Sequence, residues 1–551
     1  MQCSVGFLVM GTAVKRVSQV SVEDVQPPTS KEKLSMANTA QDSLDMQRLG
    51  KTQQLKRNFR FVSILGFNCT LMATWESILL TSDYGLINGG RAGMVYVYIG
   101  TFIGFFASVA SLAEIASRAP TAGGQYHWVS EYAPPSCQRF LSYITGWLAV
   151  LGWQAAFASV CFLAGTLIQG LLVTVDPVPT IHHIYTFERW HGTLLAIAIA
   201  VIATVLNGWG THWLASLERF LLFIHIFGFF VVLIPLWVKA DRASSAEVFQ
   251  TFSNTGGWPN IGLACLVGQL TPIFSFTGPD AATHMAEEVQ DASRTVPWCM
   301  ISTALVNGTL GFVMLITFLF TMGDIESVLK APSGFPFITA FQNATGSSNM
   351  AMGLACIILV MEVCSALGVL ATTSRQIFAF ARDKGLPFSS TLAYVHPKSK
   401  TPIWSILSST VVTVLLSLIN IGSTAAFNAI ASLAIASMLT TYIIAIGCFF
   451  IARWQSRTLP SPRFSLGPYG PAINLISLFY LSFQIIFTFF PTTKDVVPRT
   501  MNWAVLMVGS VTLFAVFQYV SYARKVYQAP VDQTLRNQGK YLQSGHSRSF
   551  G

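Results

Sequence analysis

Charge is what this chain has least of. Asp, Glu, Lys and Arg together make up 10% of its 551 residues, where a soluble domain carries about 25%. A chain that poor in charge cannot cover a water-facing surface. That excludes a string of soluble domains and implies an outer surface in lipid. The short catalytic signatures are missing too: there is no GxGxxG, no Walker lysine loop, no HExxH and no GxSxG. Neither a nucleotide-driven pump nor a common hydrolase has residues to stand on, so energy has to come from a gradient or from the solute itself. The nine cysteines include no CxxC pair and no metal-ligand spacing. Cys69, Cys161, Cys265, Cys356 and Cys364 fall inside apolar runs and read as small buried side chains. No metal and no cofactor is expected. The formal net charge of +9 is not a nucleic-acid signal, because the Lys and Arg residues sit in tails and short loops.

What the chain does have is hydrophobic residues, 52% of the total, grouped in runs near the 20 residues that span a bilayer. We place these runs at 61–80, 92–116, 140–173, 191–209, 216–238, 261–285, 298–322, 350–376, 402–420, 427–451, 469–491 and 501–523. The expected fold is all-α and integral to the membrane, with about twelve spans between a polar, disordered tail at 1–60 and a second tail at 524–551. Val5–Val14 is apolar but too short to span. Its basic residues, Lys15 and Arg16, follow it instead of preceding it, which speaks against a cleaved signal peptide. With the amino terminus in the cytoplasm, the inner loops carry Arg118, Arg139, Arg219, Arg294, Arg375, Arg382, Lys384, Lys398 and Lys400, among others, and the outer loops fewer. That bias places both termini inside. Asn343-Ala344-Thr345 is then a glycosylation sequon in an outer loop.

Two spans look broken. Span one reads Leu65-Gly66-Phe67-Asn68-Cys69-Thr70, and span six reads Pro272-Ile273-Phe274-Ser275-Phe276-Thr277-Gly278-Pro279-Asp280. Gly and Pro free backbone groups from the helix ladder. In a membrane such backbone persists only against protein or a watery cavity, which is how many transporters build a solute site. Intramembrane acids are the second signal. Glu362 sits mid-way along span eight, Glu76 in span one and Asp280 in span six. An ionised acid there costs roughly 2.5–3.5 kcal/mol and needs a partner, a proton or a cavity. Asp280 has the alternative role of capping the second half of span six. Gln154 is a neutral polar group in apolar span three, and either binds solute or bonds a neighbouring helix. Aromatics near the breaks (Phe67, Trp75, Trp153, Phe274 and Phe276) suit an ammonium group held against ring faces.

Three loops carry a specific likeness. They are Pro120-Thr121-Ala122-Gly123-Gly124-Gln125-Tyr126-His127-Trp128, then Glu287–Pro297 with the preceding Asp280-Ala281-Ala282-Thr283-His284-Met285-Ala286, and Ser374–Pro387. In that order they resemble the amino acid–polyamine–organocation permeases, and most of all the fungal branch of amino acid, 4-aminobutyrate and choline permeases. The resemblance covers roughly residues 60–525. It implies a five-plus-five inverted repeat, with unwound spans one and six lining a central site among spans three, eight and ten. It also implies proton-coupled alternating access, with the three motif loops acting as inner-side gating elements. Two departures stand out. The first stretch has one glycine where amino acid carriers often have several to hold a carboxylate. Span five, from Arg219 to Val238, lacks the lysine of some relatives and has His225 as its only titratable group at depth.

The expectation is therefore a plasma-membrane permease for a small amine or amino acid derivative, with the proton as coupling ion and no enzymatic activity. Choline-like cations and 4-aminobutyrate-like zwitterions lead. Gly66, Phe67, Asn68, Glu76, Gln154, Phe274, Phe276, Thr277, Gly278, Asp280 and Glu362 are the candidate solute contacts. His225 and Glu362 are the candidate proton sites. The competing classes are a transporter-like nutrient sensor and an exporter of a nitrogenous metabolite.

Overall fold

The computed structural model describes residues 39–175, 185–209, 211–423 and 425–532. The Val5–Val14 run and the expected tails over 1–38 and 533–551 lie outside the described residues. Among the described residues twelve helical stretches are long and apolar enough to cross a membrane. Spans one to six are Phe61–Leu80, Gly90–Arg118, Gln138–Thr174, Arg189–Trp209, Leu214–Lys239 and Ile261–His284. Spans seven to twelve are Ala292–Thr321, Ser348–Arg382, Ile403–Gly422, Ala426–Trp454, Gly467–Thr488 and Ala504–Asp532. Among the described residues the only sheet is a two-residue antiparallel ladder, Asn88–Gly89 against Ser253–Asn254.

Span three packs against spans eight and ten, span seven against spans one and two, and span five against span one. Spans one, three, eight and ten are therefore the buried ones: 89% of the apolar window of span one is covered by protein, against 11% for span twelve. Span twelve accordingly shows its large side chains, Leu513, Phe514 and Phe517, to the outside.

Both broken spans are present, and one break is displaced from its expected place. In span one the helix runs unbroken through Gly66–Thr70 to Met72, turns at Ala73 (φ 40°, ψ 50°) and restarts over Thr74–Leu80. Gly66 answers a packing need instead: a Cβ there would lie 2.3 Å from the Glu218 carbonyl oxygen, so only a glycine lets span five approach this closely. In span six the helix stops at Phe276, Thr277 is extended, Gly278 takes φ +102°, and a short turn, Ala281–His284, follows. Gly278 needs its freedom twice, for the positive φ and because a Cβ would meet Leu71 at 3.2 Å.

The tail expected to be disordered up to residue 60 is ordered from Thr39 onward. Ala40–Arg48 is a helix with a capping box made by Thr39 and Asp42. Met46, Leu49, Leu55 and Phe59 are buried against the bundle. Local polarity misled the sequence reading, since the partners are remote: Asp42 accepts from the backbone N–H groups of Asp291 and Ala292 at 2.9 and 3.0 Å. Phe59 pairs by backbone with Glu288 and Gln290. The expected tail from 524 likewise begins as structure, with Tyr527 buried and its hydroxyl 2.7 Å from Ser142 Oγ.

Candidate functional site

The two breaks face each other, and polar side chains collect the backbone groups they free. Thr74 Oγ1 donates to the Ser275 carbonyl at 2.8 Å, and Ser365 Oγ donates to the Leu71 carbonyl at 2.7 Å. Asn68 Nδ2 donates to the Pro279 carbonyl and its Oδ1 accepts from the Ala282 N–H, both at 3.1 Å. Asn307 Nδ2 donates to the Cys69 carbonyl at 2.9 Å.

Beside this junction lies a cavity of about 30 Å³, room for roughly two waters. Admitting a solute therefore requires its walls to move. The walls are Met72 and Ser77 of span one, Trp153 of span three, and Phe274, Thr277 and Gly278 of span six. Spans eight and ten complete them with Glu362, Ser365, Ala434 and Met438. Glu362 is 1% exposed, and its carboxylate has no hydrogen-bond or ion-pair partner among the described residues.

Of the predicted contacts, Phe274, Thr277, Gly278 and Glu362 line this cavity. The others are placed elsewhere. Phe276, two residues from Phe274, points the opposite way and packs with Tyr98 and Phe102, ring centroids 5.3 and 5.5 Å away. Gly66 and Phe67 are helical and face packing partners, with Phe67 against Phe59. Asn68 ties the two breaks together without lining the cavity. Gln154 Nε2 donates to Ser409 Oγ at 3.1 Å, the interhelical role. Asp280 makes no side-chain cap. It accepts from Gln125 Nε2 at 2.6 Å and from the Tyr442 hydroxyl, and lies 3.3 Å from His284 Nε2.

Glu76 and His225, named separately from the sequence, form one buried pair, Oε1 to Nδ1 at 2.8 Å. Glu76 Oε2 and His225 Nε2 have no partner among the described residues. The sequence reading named His225 as the only titratable group at depth in span five and so passed over Glu218, although that residue falls within the 216–238 run. That acid is fully buried and takes a 2.9 Å bond from Thr70 Oγ1. Its place beside Arg219 at a span end reads as an interfacial pair, which hid it. Met72, Ser77 and Ser365 were missed because nothing in their neighbourhood distinguishes them from other span residues. Asn343 is exposed on the helix Pro336–Thr345, with its amide donating to the Met322 carbonyl at 3.2 Å. Among the described residues no group of three or more His, Cys, Asp or Glu side chains converges as a metal site would need.

On the side of the amino-terminal segment the three motif loops meet below the cavity. Arg375 Nε donates to Glu288 Oε1 at 2.7 Å. Arg382 forks onto Glu287 at 2.9 and 2.6 Å, and Lys51 pairs with Asp383. Tyr126 OH donates to Asp383 Oδ2 at 3.0 Å. Burial pushes the Glu287 and Asp383 carboxyls up. Arg382 outweighs it at Glu287, and Lys51 with Arg382 at Asp383, so both sit below the usual carboxylate range. Toward the opposite face the cavity is covered by rings: Phe427 packs on Phe274 at 5.5 Å and on Phe162 and Tyr84 at 6.0 Å.

Comparison with known proteins agrees with this architecture. Residues 59–511 match the family described as amino acid permease. A protein of Macrophomina phaseolina named for amino acid/polyamine transport is 32% identical over 443 residues, 80% of this chain and 96% of its own. The choline transporter of Saccharomyces cerevisiae is 28% identical over 489 residues, 88% of this chain and 85% of its own. Amino-acid permease 2 of Neurospora crassa is 28% identical over 504 residues, 91% of each chain. These relatives are transporters, not enzymes. A twelve-span bundle with facing breaks in spans one and six, matched over most of its length, belongs to the amino acid permease family, in the fungal branch of the amino acid–polyamine–organocation superfamily.

Proposed function

We propose that this permease takes up a small amine across the plasma membrane by proton-coupled alternating access. A choline-like organic cation leads as substrate, ahead of a 4-aminobutyrate-like zwitterion. The observation that carries this reading is Glu362. An acid in a dry bundle, facing a cavity with no protein partner, favours a cationic guest that completes it. The Trp153 and Phe274 rings beside it suit an ammonium, worth up to about 2 kcal/mol when desolvated. Among the described residues no Lys, Arg or His lines the cavity to hold a carboxylate. That weighs for a cation, as does the likeness to a choline transporter.

The excess of loop Lys and Arg on the amino-terminal face favours the cytoplasm for that face and both termini. Asn343 is then extracellular and open to a glycan, which a glycosidase-sensitive shift in mobility checks. Glu362 and the Glu76–His225 pair are the candidate proton carriers. The test is uptake of labelled choline, 4-aminobutyrate and a panel of amino acids into proteoliposomes, with and without an inward proton gradient, for wild type and Glu362→Gln. Gradient-driven uptake of choline that drops by at least tenfold in the variant is expected. Equal uptake by the variant would remove Glu362 from the site.

A further inference from the structure

His284 ends the turn that follows the span-six break, and it is fully buried beneath the cavity. Its two ring nitrogens have three partners. Nδ1 lies 2.9 Å from the Ala122 carbonyl oxygen, which only accepts, so Nδ1 carries a hydrogen. Nε2 lies 3.1 Å from Trp153 Nε1, which only donates, so Nε2 offers its lone pair. These two bonds together define a neutral imidazole. Nε2 also lies 3.3 Å from Asp280 Oδ2. A lone pair and a carboxylate oxygen have nothing to share until a proton stands between them, and that proton would occupy the position Trp153 now uses.

We propose that a proton and the indole of Trp153 compete for Nε2 of His284, so that His284 reports protonation to the wall of the solute cavity. Deprotonated, His284 anchors the Trp153 indole, whose ring lies 3.6 Å from where a Cβ on Gly278 would stand. When a proton from solvent binds Nε2, the new N–H turns to Asp280 and the ring becomes an imidazolium paired with that carboxylate. Trp153 then loses its acceptor and is free to leave the cavity wall. His284 is in this sense a positioning residue, acting on solute through Trp153.

The neighbourhood leaves few competitors for the proton. On its own segment the ionisable group is Asp280, itself held by Gln125 and by Tyr442 of span ten. Span eight and the turn Ala286–Glu288 contribute the Arg375–Glu288 and Arg382–Glu287 pairs, each already matched in charge. Against this turn span one sets Asn68 and span seven Met300. The loop before span three approaches with backbone, at Ala122 and at Gly124, where a Cβ would meet the His284 ring at 2.8 Å.

The use of this switch in transport rests on the proton-coupled reading above; the competition itself rests on the three contacts. The test therefore reads Trp153 directly. Full-length protein carrying ¹⁵N-indole tryptophan is reconstituted in nanodiscs, the Trp153 resonance is assigned with Trp153→Phe, and its position is followed from pH 8 to pH 5. The wild-type signal is expected to move with one titration, and in His284→Gln, whose amide keeps an acceptor for the indole but takes no proton, to stay still. Asp280→Asn, which removes the waiting carboxylate, is expected to shift the midpoint to lower pH. A wild-type resonance that does not titrate overturns the proposal without any variant, as does an unchanged titration in His284→Gln. A titrating Trp153 in a protein whose uptake ignores the proton gradient would keep the switch and reject proton-coupled transport.

Discussion

Below the cavity, toward the amino-terminal segment, the path is closed by Arg375–Glu288, Arg382–Glu287 and Lys51–Asp383, drawn from three separate stretches of chain. Above it the path is closed by four rings, Tyr84, Phe162, Phe274 and Phe427. The two seals differ in how they fail. A buried ion pair gives little net stability over an apolar pair of the same shape, but breaking it by removing one partner strands a charge, at about 3–5 kcal/mol. An aromatic contact is worth about 0.5–1.5 kcal/mol beyond the area it covers and is lost one ring at a time. The charged seal is therefore thick and cooperative and the ring seal thin, so the molecule as it stands should open more readily toward the face of the rings.

The largest expected effect breaks the thick seal. Arg375→Ala leaves Glu288 buried without its cation and should destabilise the protein by about 3–5 kcal/mol, read as a fall in thermal unfolding temperature in detergent. Replacing both partners with apolar residues, Arg375→Met with Glu288→Leu, should recover most of that loss. If the double variant is no better than the single one, the pair is not what Arg375 does. A smaller effect is expected across the cavity. Phe427→Ala removes contacts to three rings, worth about 2 kcal/mol together. It should speed reagent access to a cysteine placed at Thr277 from the ring side by roughly tenfold, with Cys137 and Cys356 first changed to Ser. An equal gain in access from the amino-terminal side would mean that the two seals are not independent.

The same comparison explains what could be read from the sequence. Twelve spans were readable because lipid demands a length and a composition, and both are local. The break in span six was readable because Gly278 and Pro279 each fail to continue a helix, whereas the break in span one rests on Ala73 in a left-handed conformation, which nothing in its neighbourhood announces. Phe274 and Phe276 look equivalent beside the break. On a helix two residues are about 200° apart, so one reaches the cavity and the other cannot. The ring seal and the charged seal were both hidden for a further reason. Lys51 and Asp383 are 332 positions apart, and the polar stretch from Thr39 to Arg60 becomes ordered only through such remote partners. A composition that reads as disorder on its own is then the part that fits a highly charged face.

The smallest effect expected over the physiological range is that of pH on the charged seal, and its sign follows from the carboxyls that form it. Glu287 and Asp383 sit below their ordinary values, burial being outweighed by Arg382 and by Lys51 with Arg382 respectively. A group depressed in the folded state adds stability above its unfolded value and gives it up as pH falls through the folded one. The contribution is thus complete at pH 7, nearly complete at pH 5, and lost only below about pH 4. Access to a cysteine at Thr277 from the amino-terminal side should accordingly stay flat between pH 8 and pH 5 and rise only in stronger acid. A flat response in that window separates the seal from any protonation of His284. Access that already rises between pH 7 and pH 6, and ceases to do so in His284→Gln, would mean that the histidine beneath the cavity, and not the ion pairs below it, governs opening on that side.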